Sequence, residues 1–237
     1  MLNRAPLALL GLVLLLSACD PSDGPSDKIT EVPADSLSLL LHDLERRIVE
    51  DPSNAELYAR RSAIHVRYDS TEAAVNDLLR AIALDSTNAE YQLRLGEVHY
   101  LKLRVDEAVQ RFEKALALDP RNTEALLKLA EVQMVLRHYQ RAMDLTNDAL
   151  RIDPYVAHGY YLKGWIHKES GDTAKAISSF HTAVEQDPQE YNAYIQLGLL
   201  YATRKDPLAL EFYASALELR PRSVEALYNM GMFCQEN

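Results

Sequence analysis

The chain has 237 residues, of which 48% are hydrophobic and 25% are charged, a composition typical of a folded globular protein. Its 35 acidic and 25 basic residues give a formal charge of −10, which disfavours nucleic acid and anionic lipid headgroups as partners. The two cysteines, Cys19 and Cys234, are too few for a disulfide framework or a thiolate zinc site.

Residues 1–18 have the layout of a secretory signal peptide. Arg4 supplies a positive charge, residues 7–16 form an apolar run, and Ser17 and Ala18 are small residues of the kind found at cleavage sites. Because the run is shorter than the ~20 residues that span a bilayer, a transmembrane helix is the weaker interpretation. The segment Leu16-Ser17-Ala18-Cys19 resembles a bacterial lipobox, which implies lipidation at Cys19. An ordinary secreted protein is the alternative.

Residues 19–34 are rich in proline, serine, aspartate and glycine, and we predict that they form a disordered tether behind the lipidated Cys19. Removal of residues 1–18 takes Arg4 away and changes the formal charge to −11. We therefore expect a lipid-anchored protein of the bacterial cell envelope. The acidic residues Asp20, Asp23 and Asp27 leave open which membrane carries it, and whether it faces the periplasm or the cell surface.

Residues 35–54 predict an N-terminal capping helix, because five apolar residues recur there at helical spacing. These are Leu37, Leu40, Leu41, Leu44 and Ile48.

From residue 55 onward, small residues recur every 34 positions, with a final step of 33. The first register contains Ser62, Gly96, Ala130, Gly164, Gly198 and Gly231. The second register contains Ala74, Ala108, Ala142, Ala176 and Ala209. A third contains Ala81, Ala115, Ala149, Ala183 and Ala216. Each unit also has two segments of helical periodicity, so small residues in step predict helix pairs that approach closely.

One unit places Leu95, Gly96, Ala108, Phe112 and Pro120 at the spacing of the tetratricopeptide repeat, which the chain resembles. The resemblance implies an all-α solenoid of antiparallel helix pairs wound into a right-handed superhelix. The predicted units are residues 55–88, 89–122, 123–156, 157–190 and 191–223.

Residues 224–237 repeat only a first helix, so we predict an incomplete sixth unit, and a truncation after Asn237 stays open. There we expect Leu227, Met230 and Phe233 to lack a partner helix, and Cys234 to be a small buried side chain.

Two further patterns concern packing. Arg61 and Lys163 replace the leucine of the repeat consensus, so packing must differ there. His65, His99 and His167 share the consensus tyrosine register. Because equivalent atoms of stacked helices lie about 8–10 Å apart, we interpret these histidines as packing residues and predict no metal site.

The resemblance implies that the first helices line a concave surface that binds a protein or peptide partner. In the first three units an acid precedes a base by four residues, a favourable spacing for pairs within one helix. The bases are Arg60, Arg94 and Lys128, and the acids are Glu56, Glu90 and Glu124. The alternative is a basic ladder that grips partner carboxylates. Ala59 and Ala63 stand where chaperone-binding relatives carry Lys or Asn, so that carboxylate clamp is absent.

The fourth and fifth units predict a second binding patch on the same surface, in which aromatic side chains are the anchors. It contains Tyr161, Trp165, Lys168, Asn192, Ile195, Gln196 and Leu199. Burial in the core is the alternative, since an aromatic stripe at helical spacing is usually internal.

The chain contains no P-loop, GxSxG, HExxH or EF-hand motif, and we predict neither catalysis nor a cofactor. We predict a membrane-anchored scaffold or adaptor that takes part in assembling a cell-envelope complex. The alternatives are a lipoprotein that captures glycans or nutrients beside a transporter, and the repeat part of a longer enzyme. Homo-oligomerisation stays open.

Overall fold

The structure is a computed structural model that describes residues 34–236. The predicted signal peptide, the lipidation site Cys19 and nearly all of the predicted tether lie outside the described residues. Within that range all regular secondary structure is helical, which confirms the all-α prediction. The helices are α1 (Ala34–Glu50), α2 (Ala55–Arg67), α3 (Thr71–Leu84), α4 (Ala89–Leu101), α5 (Val105–Leu118), α6 (Thr123–Val135), α7 (Tyr139–Ile152), α8 (Ala157–Glu169), α9 (Thr173–Gln186), α10 (Tyr191–Ala202), α11 (Leu208–Leu219) and α12 (Val224–Glu236). The first of them begins at Ala34, which the sequence assigns to the tether, directly after Pro33.

The helices pack as consecutive pairs, and each pair stacks on the next. The five pairs are α2 with α3, α4 with α5, α6 with α7, α8 with α9, and α10 with α11. Since each unit contacts mainly its neighbours, the molecule is a solenoid whose core runs along its length.

The small residues of the registers allow the two helices of a pair to pack closely. A Cβ atom added to Gly96 would lie 2.6 Å from the ring of Phe112, and one added to Gly164 would lie 2.6 Å from the ring of Phe180. The alanines of the second and third registers are completely buried. The close approach therefore depends on the absence of bulk on one helix and the presence of an aromatic ring on the other.

The connections between units are set by four aspartates that follow second helices. The carboxylates of Asp85, Asp119, Asp153 and Asp187 each accept a hydrogen bond from the backbone N–H two residues later, at 2.8–3.0 Å. This local turn competes with helix and holds the aspartate in an extended conformation, so the chain leaves the second helix at the same place in each of the first four units.

The last helix differs from its expected state in two respects. Phe233 is only 7% exposed, because it packs on the cluster that contains Tyr213 and Ala216, whereas Leu227 remains 51% exposed. Met230 also packs against this cluster, so the prediction that Met230 and Phe233 lack a partner helix is wrong. The prediction that Cys234 is buried is also wrong, since the next position on the helix points away from that cluster and is exposed.

None of the described helices combines the length and the apolar character needed to cross a membrane.

Candidate functional site

The first helices of the units line a groove that consists of two joined depressions. One has a volume of about 600 Å³ and lies along α2, α4 and α6. The other has a volume of about 480 Å³ and lies mainly along α6 and α8. Tyr100 and Glu131 line both depressions, so the groove is continuous across the first four units.

A row of alternating charges, which we call the ion-pair row, crosses this groove. The Lys128 Nζ atom lies 3.9 Å from Glu97 Oε1 and 3.6 Å from Glu131 Oε2. Glu131 Oε1 lies 2.5 Å from His158 Nε2, and His158 Nδ1 lies 3.7 Å from Glu190 Oε2. The row joins α4, α6 and α8 to Glu190, the residue that precedes α10, so it connects three successive units and reaches the start of the next.

The protonation states in the row follow from these contacts. Burial alone would lower the pKa of His158, but the carboxylates of Glu131 and Glu190 outweigh it and raise the pKa to about 9. Burial would likewise raise the pKa of Glu131, but the neighbouring His158 and Lys128 lower it. Burial raises the pKa of Glu97, and Lys128 compensates for this only in part. At neutral pH the imidazole of His158 is therefore a cation.

Two residues of the predicted aromatic patch, Tyr161 and Trp165, line the second depression. Tyr161 stacks on the His158 ring with 5.5 Å between centroids, and Trp165 lines the same depression. Lys168 Nζ lies 5.3 Å from the centroid of the Trp165 ring and donates a hydrogen bond of 2.7 Å to Gln196 Oε1. Four residues predicted from the sequence thus form one continuous surface.

The other members of the patch are placed differently. Ile195 is 1% exposed and packs in the core with Tyr213 and Ala226, so the prediction that it faces the groove is wrong. The equivalent residues of the first three units, Ala59, Leu93 and Leu127, are buried as well, whereas the equivalent residue of the fourth unit is the half-buried Tyr161. Asn192 is exposed on α10, and Leu199 is half-buried against the same core cluster as Ile195.

The three bases of the first units are each paired with carboxylates of the chain. Arg60 pairs with Glu56 at 2.8 Å, and Arg94 pairs with Glu90 at 2.6 Å, as the spacing predicts. Lys128 does not follow the pattern: its partners are Glu97 on α4 and Glu131 one turn further along α6, in place of Glu124. This arrangement favours paired charges over a ladder of cations free to grip a partner.

Sequence reasoning missed the groove residues Glu97, Tyr100, Glu131 and His158. A signal for two of them is present, because Glu97 and Glu131 occupy equivalent positions of consecutive units. His158 also stands where the three preceding units carry glutamate. In the part of the chain that the structure describes, no group of three or more His, Cys, Asp or Glu side chains is arranged to hold a metal ion.

Comparison with known proteins identifies the family of this protein. Two tetratricopeptide repeat models match residues 103–166 and 161–224, which together extend over half of the chain. The chain belongs to the tetratricopeptide repeat family.

Two relatives are photosystem I assembly proteins named Ycf3. The protein of Acaryochloris marina is 38% identical over 81 residues, which cover 32% of this chain and 48% of that protein. The protein of Cyanophora paradoxa is 31% identical over 80 residues, which cover 32% of this chain and 46% of that protein. This chain therefore spans about half the length of the curated relatives it matches.

Solved structures show the same fold. YrrB, described as a TPR protein with an unusual peptide-binding site, is 25% identical with a TM-score of 0.56, and the match covers 78% of this chain and 96% of YrrB. PilW, a type IV pilus biogenesis factor, is 18% identical with a TM-score of 0.71, and the match covers 82% of this chain and 90% of PilW.

Proposed function

We propose that this protein is a scaffold that binds a segment of a partner protein in the groove formed by its first helices. The observation that carries the proposal is the continuity of the two depressions through Tyr100 and Glu131, across α2, α4, α6 and α8. A groove of this length accommodates an extended or helical segment and presents aromatic anchors beside polar groups, which is the usual composition of such sites. The similarity to YrrB, which has a peptide-binding site, supports the proposal.

The proposed setting is the assembly of a protein complex in a bacterial cell envelope, with the scaffold anchored by a lipid on Cys19. The lipobox-like segment Leu16-Ser17-Ala18-Cys19 supports the anchor. The relatives named as photosystem I assembly proteins support an assembly role in general terms.

Affinity capture from the native membrane tests the binding function. Trp165→Ala and Tyr161→Ala remove large parts of the aromatic surface in the second depression, and each is expected to lose most of the captured partner. Tyr155→Ala is the matched control, because Tyr155 is 74% exposed on a turn outside the groove. Unchanged capture by both groove variants, with the fold retained by circular dichroism, contradicts the proposal.

Cell fractionation tests the anchor independently of binding. Cys19→Ser is expected to release the protein from the membrane fraction, since a lipid chain contributes about 0.8 kcal/mol of membrane affinity for each buried methylene. Cys234→Ser, which changes the exposed cysteine at the other end of the chain, is expected to leave the protein in the membrane. Retention of Cys19→Ser in the membrane rejects the lipid anchor and leaves the groove untouched.

A further inference from the structure

The point at which the two depressions meet combines an aromatic ring with two carboxylates. Tyr100 lies on α4 one turn after Glu97, and both line the first depression together with Glu131 of the next unit. Aromatic faces attract cations, and carboxylates pair with them. The junction therefore has the chemical groups that receive a positively charged side chain.

The carboxylates of the ion-pair row are only partly compensated by the row's own cations. Three carboxylates, Glu97, Glu131 and Glu190, share two cations, Lys128 and the protonated His158. Both distances from Lys128 Nζ exceed ordinary hydrogen-bond length, and Lys128 is divided between two carboxylates.

Among the carboxylates of the ion-pair row, Glu97 has the negative charge that is least compensated by a cation. Its side chain is 35% exposed, and its ion pair with Lys128, the one it forms among the described residues, is the longest of the row at 3.9 Å.

Two further cations, Arg94 and Arg67, line the first depression. Arg94 pairs with Glu90 at 2.6 Å; its charge also acts on Glu97, where it is opposed by burial and by the negative charges of Glu90 and Glu124. Glu124 on α6 is exposed and adds a further negative charge near Glu97. Arg67 is exposed, so water screens its charge, as it does that of Glu124.

We propose that the groove takes a segment carrying an arginine, whose guanidinium lies against Tyr100 and pairs with Glu97. The proposal rests on the proposed function and adds the chemistry of the partner. Arginine fits better than lysine because its planar group stacks on an aromatic ring and binds a carboxylate through two parallel hydrogen bonds. The formal charge of −10 favours the approach of a basic segment from a distance.

If the bound segment is basic, two substitutions are expected to change the binding affinity in opposite directions. Glu97→Gln removes the carboxylate that receives the guanidinium and is expected to weaken binding about tenfold. Lys128→Gln removes the competing cation and is expected to strengthen binding several-fold. If the segment is instead recognised through its own carboxylate, Glu97→Gln is expected to strengthen binding and Lys128→Gln to weaken it. Glu113→Gln, the same change at an exposed position of the second helix α5, is the matched control.

The probe is a set of peptides of about 12 residues, selected from a random library on the purified protein and synthesised for titration. Trp165 is the single tryptophan of the chain, so its emission reports on occupancy of the groove. The expected result is enrichment of arginine in the selected peptides, an affinity loss of about tenfold when that arginine is replaced by citrulline, and the two opposite changes in affinity.

The two ways of failing are distinguishable. The arginine proposal is overturned, while the groove remains a binding site, by any of three results. The selected peptides lack arginine, they keep their affinity when the arginine is replaced by citrulline, or the two substitutions change affinity in the reverse directions. Failure to select any peptide whose binding is weakened by the Trp165→Ala, Tyr161→Ala double variant or by Glu97→Gln overturns both the arginine proposal and the proposed function.

Discussion

Glycine has two different roles in this chain, depending on what stands opposite it. Gly96 lies against the ring of Phe112, whereas a Cβ atom added to Gly231 meets nothing within 4 Å. The equivalent position of α12 thus has no steric reason to remain glycine within the described residues.

Gly96→Ala is therefore expected to destabilise the protein by about 1–3 kcal/mol, because the buried Phe112 ring must move. Gly231→Ala is expected to leave stability unchanged or to raise it by up to about 1 kcal/mol, since alanine is the better helix former. Urea unfolding measures both. Equal destabilisation by the two substitutions contradicts the assignment of close packing to Gly96.

The departure of Arg61 from the repeat consensus has a physical explanation. Its guanidinium forms two hydrogen bonds with the buried carboxylate of Asp77, at 2.8 and 2.6 Å. A salt bridge between the two helices of the first unit replaces the apolar contact that leucine makes in the consensus.

Asp77→Ala is expected to cost about 3 kcal/mol, because the Arg61 charge is left without its buried partner. Adding Arg61→Leu removes that charge and is expected to recover much of the loss. Thermal or urea unfolding of the single and double variants forms a mutant cycle. A double variant no more stable than Asp77→Ala rules out an unpaired charge as the cause.

At the scale of helices, the sequence predicts the helix pairing that recurs in each unit but not the side-chain contacts that differ from one unit to the next. The registers containing Gly96 and Ala108 predict helix pairs, because the same steric contact recurs in each unit. Spacing within one helix does not show what the next helix presents, so the partners of Lys128 and the burial of Ile195 require the packed structure. Members of the predicted aromatic patch that lie on adjacent first helices do come into contact, as Lys168 does with Trp165 and Gln196, and their role in binding stays a prediction.

The ion-pair row predicts that the packing of α6, α8 and α10 depends on pH. The pKa of His158 is raised from 6.5 to about 9 in the folded state, so its contribution to stability is fully present below about pH 6.5. That contribution is lost as the pH rises through about 9.

The measurement is the free energy of unfolding of the protein and of His158→Gln between pH 6 and pH 10. The protein is expected to be more stable than the variant by on the order of 1–2 kcal/mol at pH 6, an amount reduced by solvent screening of the partly exposed ring. The difference is expected to shrink as the pH rises from about 6.5 to about 9 and to have disappeared above pH 9. A difference that stays constant across this range contradicts a protonated His158 in the row.

At the scale of the whole molecule, the groove belongs to no single unit. The first depression is lined by residues of α2, α4 and α6 together with Leu78 of α3, and the second mainly by residues of α4, α6, α7 and α8. In a solenoid each unit is positioned by its neighbours, so the spacing between units sets the distance between Tyr100, Glu131 and Trp165. Binding of a partner segment is expected to couple several units at once.

Hydrogen exchange of the protein with and without a peptide selected on it tests the central claim, that the groove of the first helices is the binding surface. The predicted result is slower amide exchange in α4, α6 and α8, with little change in the second helices α5 and α9, which lie outside the groove. Protection confined to α5 and α9, or to the exposed helix α12, would contradict the claim.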